Sequence, residues 1–320
     1  MSSEKIKHDA PGEKSLLLLK NDVIFKMVFG DEKNKVVLTA FLMAVLDLPP
    51  EEYDDIAITD PQLRVDAPDE KLGILDLYII TKGGKRIDVE IQVARTPFME
   101  ERITGYTGKM LAVQLKAGEK YEKIKKVIAI VILDYNLVTD SEHFHNKYML
   151  YDPKTGSLFT DVMEIHTLEL KKVPASLEED KKTEQQIYWL RLIKAEREEE
   201  IEMLATKVPE IEEAYKVMKR LSQDEEVRLL YDSREKAILD EQARLYGARE
   251  EGREEGRVEG RVEGRVEGLK EGRDDMIEVA RNLFKMGFSV EQVSQTTTKL
   301  TVSEVEEIKR QMVMAEKPKP

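Results

Sequence analysis

Asp76, Glu90 and Gln92 stand on the two arms of one stretch, ILDLYIITKGGKRIDVEIQV, residues 74–93. An apolar segment, a Gly-Gly turn signal and a segment that alternates polar and apolar residues read together as a β-hairpin. In the second arm Arg86, Asp88, Glu90 and Gln92 share one face while Ile87, Val89, Ile91 and Val93 share the other, because successive strand side chains point to opposite sides. One face is expected to be core and the other to carry chemistry. The first arm, Ile74 to Ile80, is apolar almost throughout and is expected to be buried on both faces. That places the Asp76 carboxylate where acids are rarely found without a partner. Such a group needs a metal, a base or a proton.

Which face Asp76 shares depends on the hairpin register, and the sequence offers two. A two-residue Gly83-Gly84 turn pairs Lys82 with Lys85, and therefore Asp76 with Ile91 on the core face. A three-residue loop, Lys82-Gly83-Gly84, closes Thr81 against Lys85 and pairs Asp76 with Glu90. Because a lone carboxylate in an apolar face costs several kcal/mol, roughly, the odd register is the expected one, with a glycine in the left-handed conformation.

These residues resemble the PD-(D/E)XK nuclease superfamily, whose core pairs an aspartate on one strand with a (D/E)-x-K tripeptide on the next; here the tripeptide is Glu90-Ile91-Gln92. The closer resemblance is to the PD-(D/E)XK nuclease family transposases, also called Rpn recombination-promoting nucleases, whose pattern has Gln at the last position. NDVIFKMVFGDEKN at 21–34, FMEERITGYTGKMLAVQLKAGEKY at 98–121 and VIAIVILDYNL at 127–137 fit the same family. The resemblance covers roughly residues 15 to 175 and implies an α/β restriction-endonuclease-like core, a mixed sheet flanked by helices, followed by a helical C-terminal region.

It further implies a metal-dependent DNA endonuclease hydrolysing phosphodiester bonds. Asp76 and Glu90 would bind Mg²⁺ or Mn²⁺ with the main-chain carbonyl of Ile91. Gln92 stands where many relatives have Lys, and its amide can orient a water or donate to a phosphate oxygen but brings no positive charge. Asp22 is an accessory candidate, since many superfamily members carry an acid on the helix before the sheet; its other reading, shared with Asn21, is an N-cap. The rival reading is a weak or inactive DNA-binding or assembly protein that keeps the nuclease fold.

Composition suits a soluble protein with a highly charged portion. The 320 residues contain no cysteine, so disulfides, thiolate metal sites and a cysteine nucleophile are excluded. The longest apolar runs, 16–19 and 127–133, are far short of a membrane span, and the start lacks an apolar signal core. A cytoplasmic chain is expected. The net charge of −13 argues against wholesale nucleic-acid coating, yet Lys82 to Lys126 carries eleven Lys and Arg against six acids, leaving −18 elsewhere. That basic excess surrounds the candidate site. Arg102, Lys109 and Lys116 recur every seven residues on a helix expected over 99–117 and form a stripe that could track the backbone of double-stranded DNA, with Tyr106 and Gln114 close to it.

Along the chain, residues 1–14 read as a disordered leader and 15–180 as the nuclease-like domain. Helices are expected near 22–30, where Phe25 and Phe29 stack, and over 33–47, and strands at 125–133, 147–151 and 165–170. His143 and His145, with His166, are a candidate zinc set lacking a fourth ligand. Residues 181–247 read as a helical region, with Ser222 to Glu225 as a capping box. Residues 248–273 carry Gly every four residues with Arg and Glu between, either a long helix that pairs chains into a homo-oligomer or a charged linker. A small helical tail, 274–320, has capping boxes at Ser289–Gln292 and Thr301–Glu304 and resembles a helix-turn-helix.

Overall fold

The computed structural model describes residues 14–60, 62–63, 73–115, 118–175 and 181–315. The leader expected over 1–14, except Lys14, and Lys116 lie outside the described residues. Two compact units emerge, 1–240 and 241–320.

In the first unit the helices α1 (Asp22–Phe29) and α2 (Lys35–Val45) precede the sheet. The strands are β1 (Ala57–Thr59), β2 (Gln62–Leu63), β3 (Gly73–Ile74), β4 (Leu77–Ile80), β5 (Arg86–Gln92), β6 (Val127–Leu133), β7 (His145–Tyr151) and β8 (Leu158–Glu169). Between β5 and β6 lies α3 (Met99–Ala112). After the sheet come α4 (Lys181–Lys194), α5 (Glu198–Ala205) and α6 (Pro209–Gln223), then the 61-residue α7 (Glu225–Lys285).

The main sheet runs β1-β4-β5-β6-β8-β7, with β2 and β3 forming a separate pair. Pairing is antiparallel across β1, β4 and β5, parallel across β5, β6 and β8, and antiparallel for β7. The fold is a mixed six-stranded sheet with flanking helices and a helical C-terminal region. Central β6, VIAIVIL, is buried at every position, as a strand covered on both faces must be.

One face of the sheet, built from Leu77, Ile79, Ile87, Val89, Ile91, Ile128, Ile130 and Ile132, merges with α1, α2, α4, α5 and α6 into one core. Phe25 and Phe29 stack at 4.6 Å, and Trp189 of α4 meets both Phe29 and Phe41 at 6.0 Å. The opposite face is covered by α3, which seats Met99 and Ile103 on Ala129, Val131 and Leu133, and Met110 on Tyr78 and Val127.

Two local expectations are corrected. α3 stops at Ala112, because Gln114 turns its amide to the Lys125 main chain, accepting from its N–H at 2.8 Å and donating to its carbonyl at 3.0 Å. Ser222 does not cap the following helix. Its hydroxyl donates to the Met218 carbonyl and accepts from Leu17 N–H, and Asp224 caps α7 by accepting from the N–H groups of Glu226 and Val227.

In the second unit the end of α7 packs with α8 (Val290–Thr296) and α9 (Val302–Ala315) around Ala280, Val293, Leu300, Val305 and Ile308. Ser289 and Gln292 form a complete capping box. At Thr301 the Glu304 carboxylate accepts from both the backbone N–H and the hydroxyl. The repeat at 248–273 is helical throughout.

Candidate active site

The hairpin closes through three residues. Thr81 N–H donates to the Lys85 carbonyl at 2.9 Å, Gly84 N–H donates to the Thr81 carbonyl at 2.8 Å, and Gly84 is left-handed at φ 84°. Gly83 makes room for Glu52, whose carboxylate accepts from Gly83 N–H and the Thr81 hydroxyl, where a Cβ would collide with it. The register that follows pairs Leu77 with Val89 and Tyr78 with Asp88. Asp76 directly precedes β4; continuing the register one step would bring it level with Glu90, and its charge acts on Glu90.

At this point the ladder changes partners. Ile91 N–H donates to the Asp76 side chain, Oδ2, at 3.1 Å. The other Asp76 oxygen, Oδ1, lies 2.8 Å from Lys26 Nζ, which reaches the site from α1.

The polar face of β5 is not open to solvent. Asp88 and Glu90 are 2 % and 3 % exposed. Burial, then the Asp76 charge, pushes Glu90 up to about 7 against the pull of Arg102, Lys26 and a hydrogen bond from Gln92. Burial, then the charges of Glu90 and Asp76, pushes Asp88 well above the usual carboxylate range. Asp88 Oδ1 and Glu90 Oε1 are buried without a hydrogen-bond partner. Unpartnered buried acceptors of this kind call for a cation or a proton.

The donor set is small. Among the described residues no three His, Cys, Asp or Glu side chains gather in a way that could hold a metal ion. The acids that act on one another here are Asp76, Glu90 and Asp88, and Mg²⁺ keeps several waters and takes only one or two protein carboxylates.

The residues singled out from the sequence separate into three groups. Asp76, Glu90 and Gln92 come together with Ile91, and Arg102 joins them from α3 as an electrostatic partner of Glu90 and Asp88. Arg102 is exposed and its guanidinium lies 5.4 Å from the Tyr106 ring centroid. Lys109 is half-buried in the last turn of the same helix. Asp22 does not reach the site: Asn21 is the N-cap of α1, and the Asp22 carboxylate accepts from Arg234 of α7 at 2.6 Å. The contribution of α1 is Lys26, one turn further on. Neither it nor the burial of Asp88 had a local signal in the sequence.

The histidines form something other than a zinc set. His145 Nε2 meets His166 Nδ1 at 2.7 Å, His166 Nε2 meets Glu164 at 2.6 Å, and Lys126 and Lys147 pair with Glu164. Each imidazole is engaged by a neighbour within the chain, and His143 is exposed. Burial and the neighbouring His166 lower His145 to about 4.

A mixed six-stranded sheet with flanking helices, in which a Glu-x-Gln strand donates its Ile91 N–H to Asp76, is consistent with a nuclease-type α/β domain. The chain matches the family model described as PD-(D/E)XK nuclease family transposase over residues 19–248, and it belongs to that family. No curated protein and no solved structure matches it significantly. No helix among the described residues is long and apolar enough to cross a membrane.

Proposed function

We propose that the chain is a Mg²⁺- or Mn²⁺-dependent endonuclease that hydrolyses phosphodiester bonds in double-stranded DNA, of the recombination-promoting type. The observation that carries this reading is the Ile91 N–H donating to Asp76 at the end of a hairpin whose odd register pairs Leu77 with Val89, with the Asp76 charge acting on Glu90. A strand residue directs its N–H and its carbonyl to the same side, so the Ile91 carbonyl faces the same flank as Asp76. Asp76, Glu90 and that carbonyl would hold the cation. When bound, the cation lowers the pKa of a coordinated water and neutralises charge that builds on the scissile phosphate.

The protein supplies the rest. Gln92, already hydrogen-bonded to Glu90, orients the attacking water with its amide. Lys26 brings the positive charge that Gln92 lacks, from a helix rather than from the strand. Arg102 and Lys109 hold the phosphate backbone, with Lys116 further along. Pairing of α7 with a second copy makes the molecule a homo-oligomer. A plasmid-cleavage assay with Mg²⁺ or Mn²⁺ beside Asp76→Ala and Glu90→Ala tests the reading.

The uncharged Gln92 also supports a second reading, a weak or inactive DNA-binding assembly protein. Cation-dependent stabilisation without cleavage would be its mark.

A further inference from the structure

Phe98 is held at three local disadvantages at once. Its backbone is left-handed, φ 58° and ψ 39°, and among the described residues no other non-glycine residue has a positive φ. Bulky side chains rarely adopt that conformation. It occupies the N-cap of α3, where Ser, Thr, Asp, Asn or Gly would serve better, and it makes no side-chain cap hydrogen bond. Its side chain is 76 % exposed, so packing against the fold returns little. The one service it gives α3, a carbonyl accepting from Arg102 N–H at 3.0 Å, is main-chain and needs no phenyl ring. Backbone strain of this kind concentrates at functional sites.

Its surroundings say what the ring is for. Phe98 closes the segment that leaves β5 directly after Glu90 and Gln92. One turn later stands Arg102, an electrostatic partner of both buried acids, and one turn beyond that Tyr106, whose ring lies under the Arg102 guanidinium. Aromatic, cation and aromatic thus follow at four-residue spacing along the start of α3. Aromatic rings beside a cation are the construction on which unpaired bases stack while their phosphates are held.

We propose that Phe98 is a stacking post for an unpaired nucleobase beside the scissile phosphate, so that the preferred substrate is DNA with a locally unpaired base rather than continuous duplex. The proposal rests on the endonuclease reading above. Arg102 holds the adjoining phosphate and Phe98 takes the base that leaves the helix.

The test compares the wild type with Phe98→Ala, Phe98→Trp and Phe98→Gly, with no divalent cation added. Binding is measured to a duplex and to the same duplex carrying one unpaired 2-aminopurine. The wild type is expected to bind the unpaired site on the order of tenfold more tightly and to quench its fluorescence by stacking. Phe98→Ala loses the preference and the quenching while keeping the salt dependence, and Phe98→Trp retains both. Phe98→Gly loses them too but melts at a higher temperature than the wild type, because glycine relieves the left-handed strain. Equal affinity of the wild type for the two DNAs, unchanged binding by Phe98→Ala, or a Phe98→Gly variant less stable than the wild type would overturn the proposal. A wild type that cleaves DNA yet shows none of these effects sinks the stacking post alone, whereas one that neither binds nor cleaves DNA sinks the endonuclease reading with it.

Discussion

Lys26 Nζ lies 2.8 Å from Asp76 Oδ1, on the carboxylate whose other oxygen accepts the Ile91 N–H. The cation that the strand motif lacks at Gln92 is therefore present in space, carried by α1. Replacing it with Met removes the charge that opposes the rise of Glu90. In Lys26→Met the Glu90 carboxyl should titrate higher than in the wild type, read by ¹³C NMR of the cation-free protein. Cleavage at saturating Mg²⁺ should fall by about a hundredfold. Gln92→Lys in the same background should restore part of it. Unchanged cleavage would leave Lys26 a structural counter-ion.

Glu90 sets a pH signature. Its folded pKa, pushed up to about 7, exceeds the ordinary carboxylate value. Over that interval the folded state binds more protons than the unfolded state, so stability falls as pH rises from about 4.5 to 7 and levels off above. The loss is on the order of 3 kcal/mol. Glu90→Gln should be the more stable protein at pH 8, and Mg²⁺ should raise the melting temperature of the wild type but not of Glu90→Gln. Equal melting temperatures at pH 8 without cation would count against the burial described.

His145 acts in the opposite sense. Its folded pKa is lowered to about 4, so its stabilising neutral form is present above the unfolded value near 6.5 and lost as pH falls toward 4. Urea unfolding between these pH values should show a downward slope that His145→Asn reduces. An identical slope in the variant would place the acid sensitivity elsewhere.

Binding to DNA follows α3. Arg102→Glu with Lys109→Glu should weaken affinity and flatten its dependence on salt by about one unit of slope per lost phosphate contact. A slope unchanged from wild type would move the DNA off this helix.

The repeat in α7 makes a prediction about assembly. At about 100° per residue, Arg follows five of the six Gly on one flank, Leu269 the sixth, and Glu precedes every one on the other. Two parallel helices joined along the glycines would set Arg against Glu on both sides, whereas antiparallel ones would set like against like. Val258, Val262 and Val266 are exposed. Deleting 248–273 should lower the number of copies per particle read by light scattering, and the same number in the deleted and full chains would leave this stretch a linker.

The hairpin was legible because strand parity and the cost of a lone buried acid are local arguments: Gly83, Gly84 and the identity of residue 76 decide the register between them. VIAIVIL of β6 was legible for the same reason, whereas β1 and β2 were not read and the arm expected over 74–80 is divided between β3 and β4. What could not be read is non-local. The face of Asp88 and Glu90 was legible as the one that carries chemistry, but nothing within β5 announces that both carboxylates are buried. Lys26 lies fifty residues before Asp76 and meets it only through packing of α1 on the sheet. Asp22 carried the right chemistry in the wrong direction, toward Arg234 of α7. The helix over 248–273 was one of two readings, because glycine propensity and like charges at i and i+4 argue against it, while the four-residue period that aligns the glycines argues for it.

The most direct measurement is cleavage of a supercoiled plasmid by the purified full chain with Mg²⁺ or Mn²⁺, beside Asp76→Ala and Glu90→Ala. Nicking or linearisation by the wild type, abolished in both variants and by chelation, is the predicted result. Equal cleavage by all three proteins, or none by a folded wild type, would contradict the assignment of Asp76 and Glu90 as the catalytic pair.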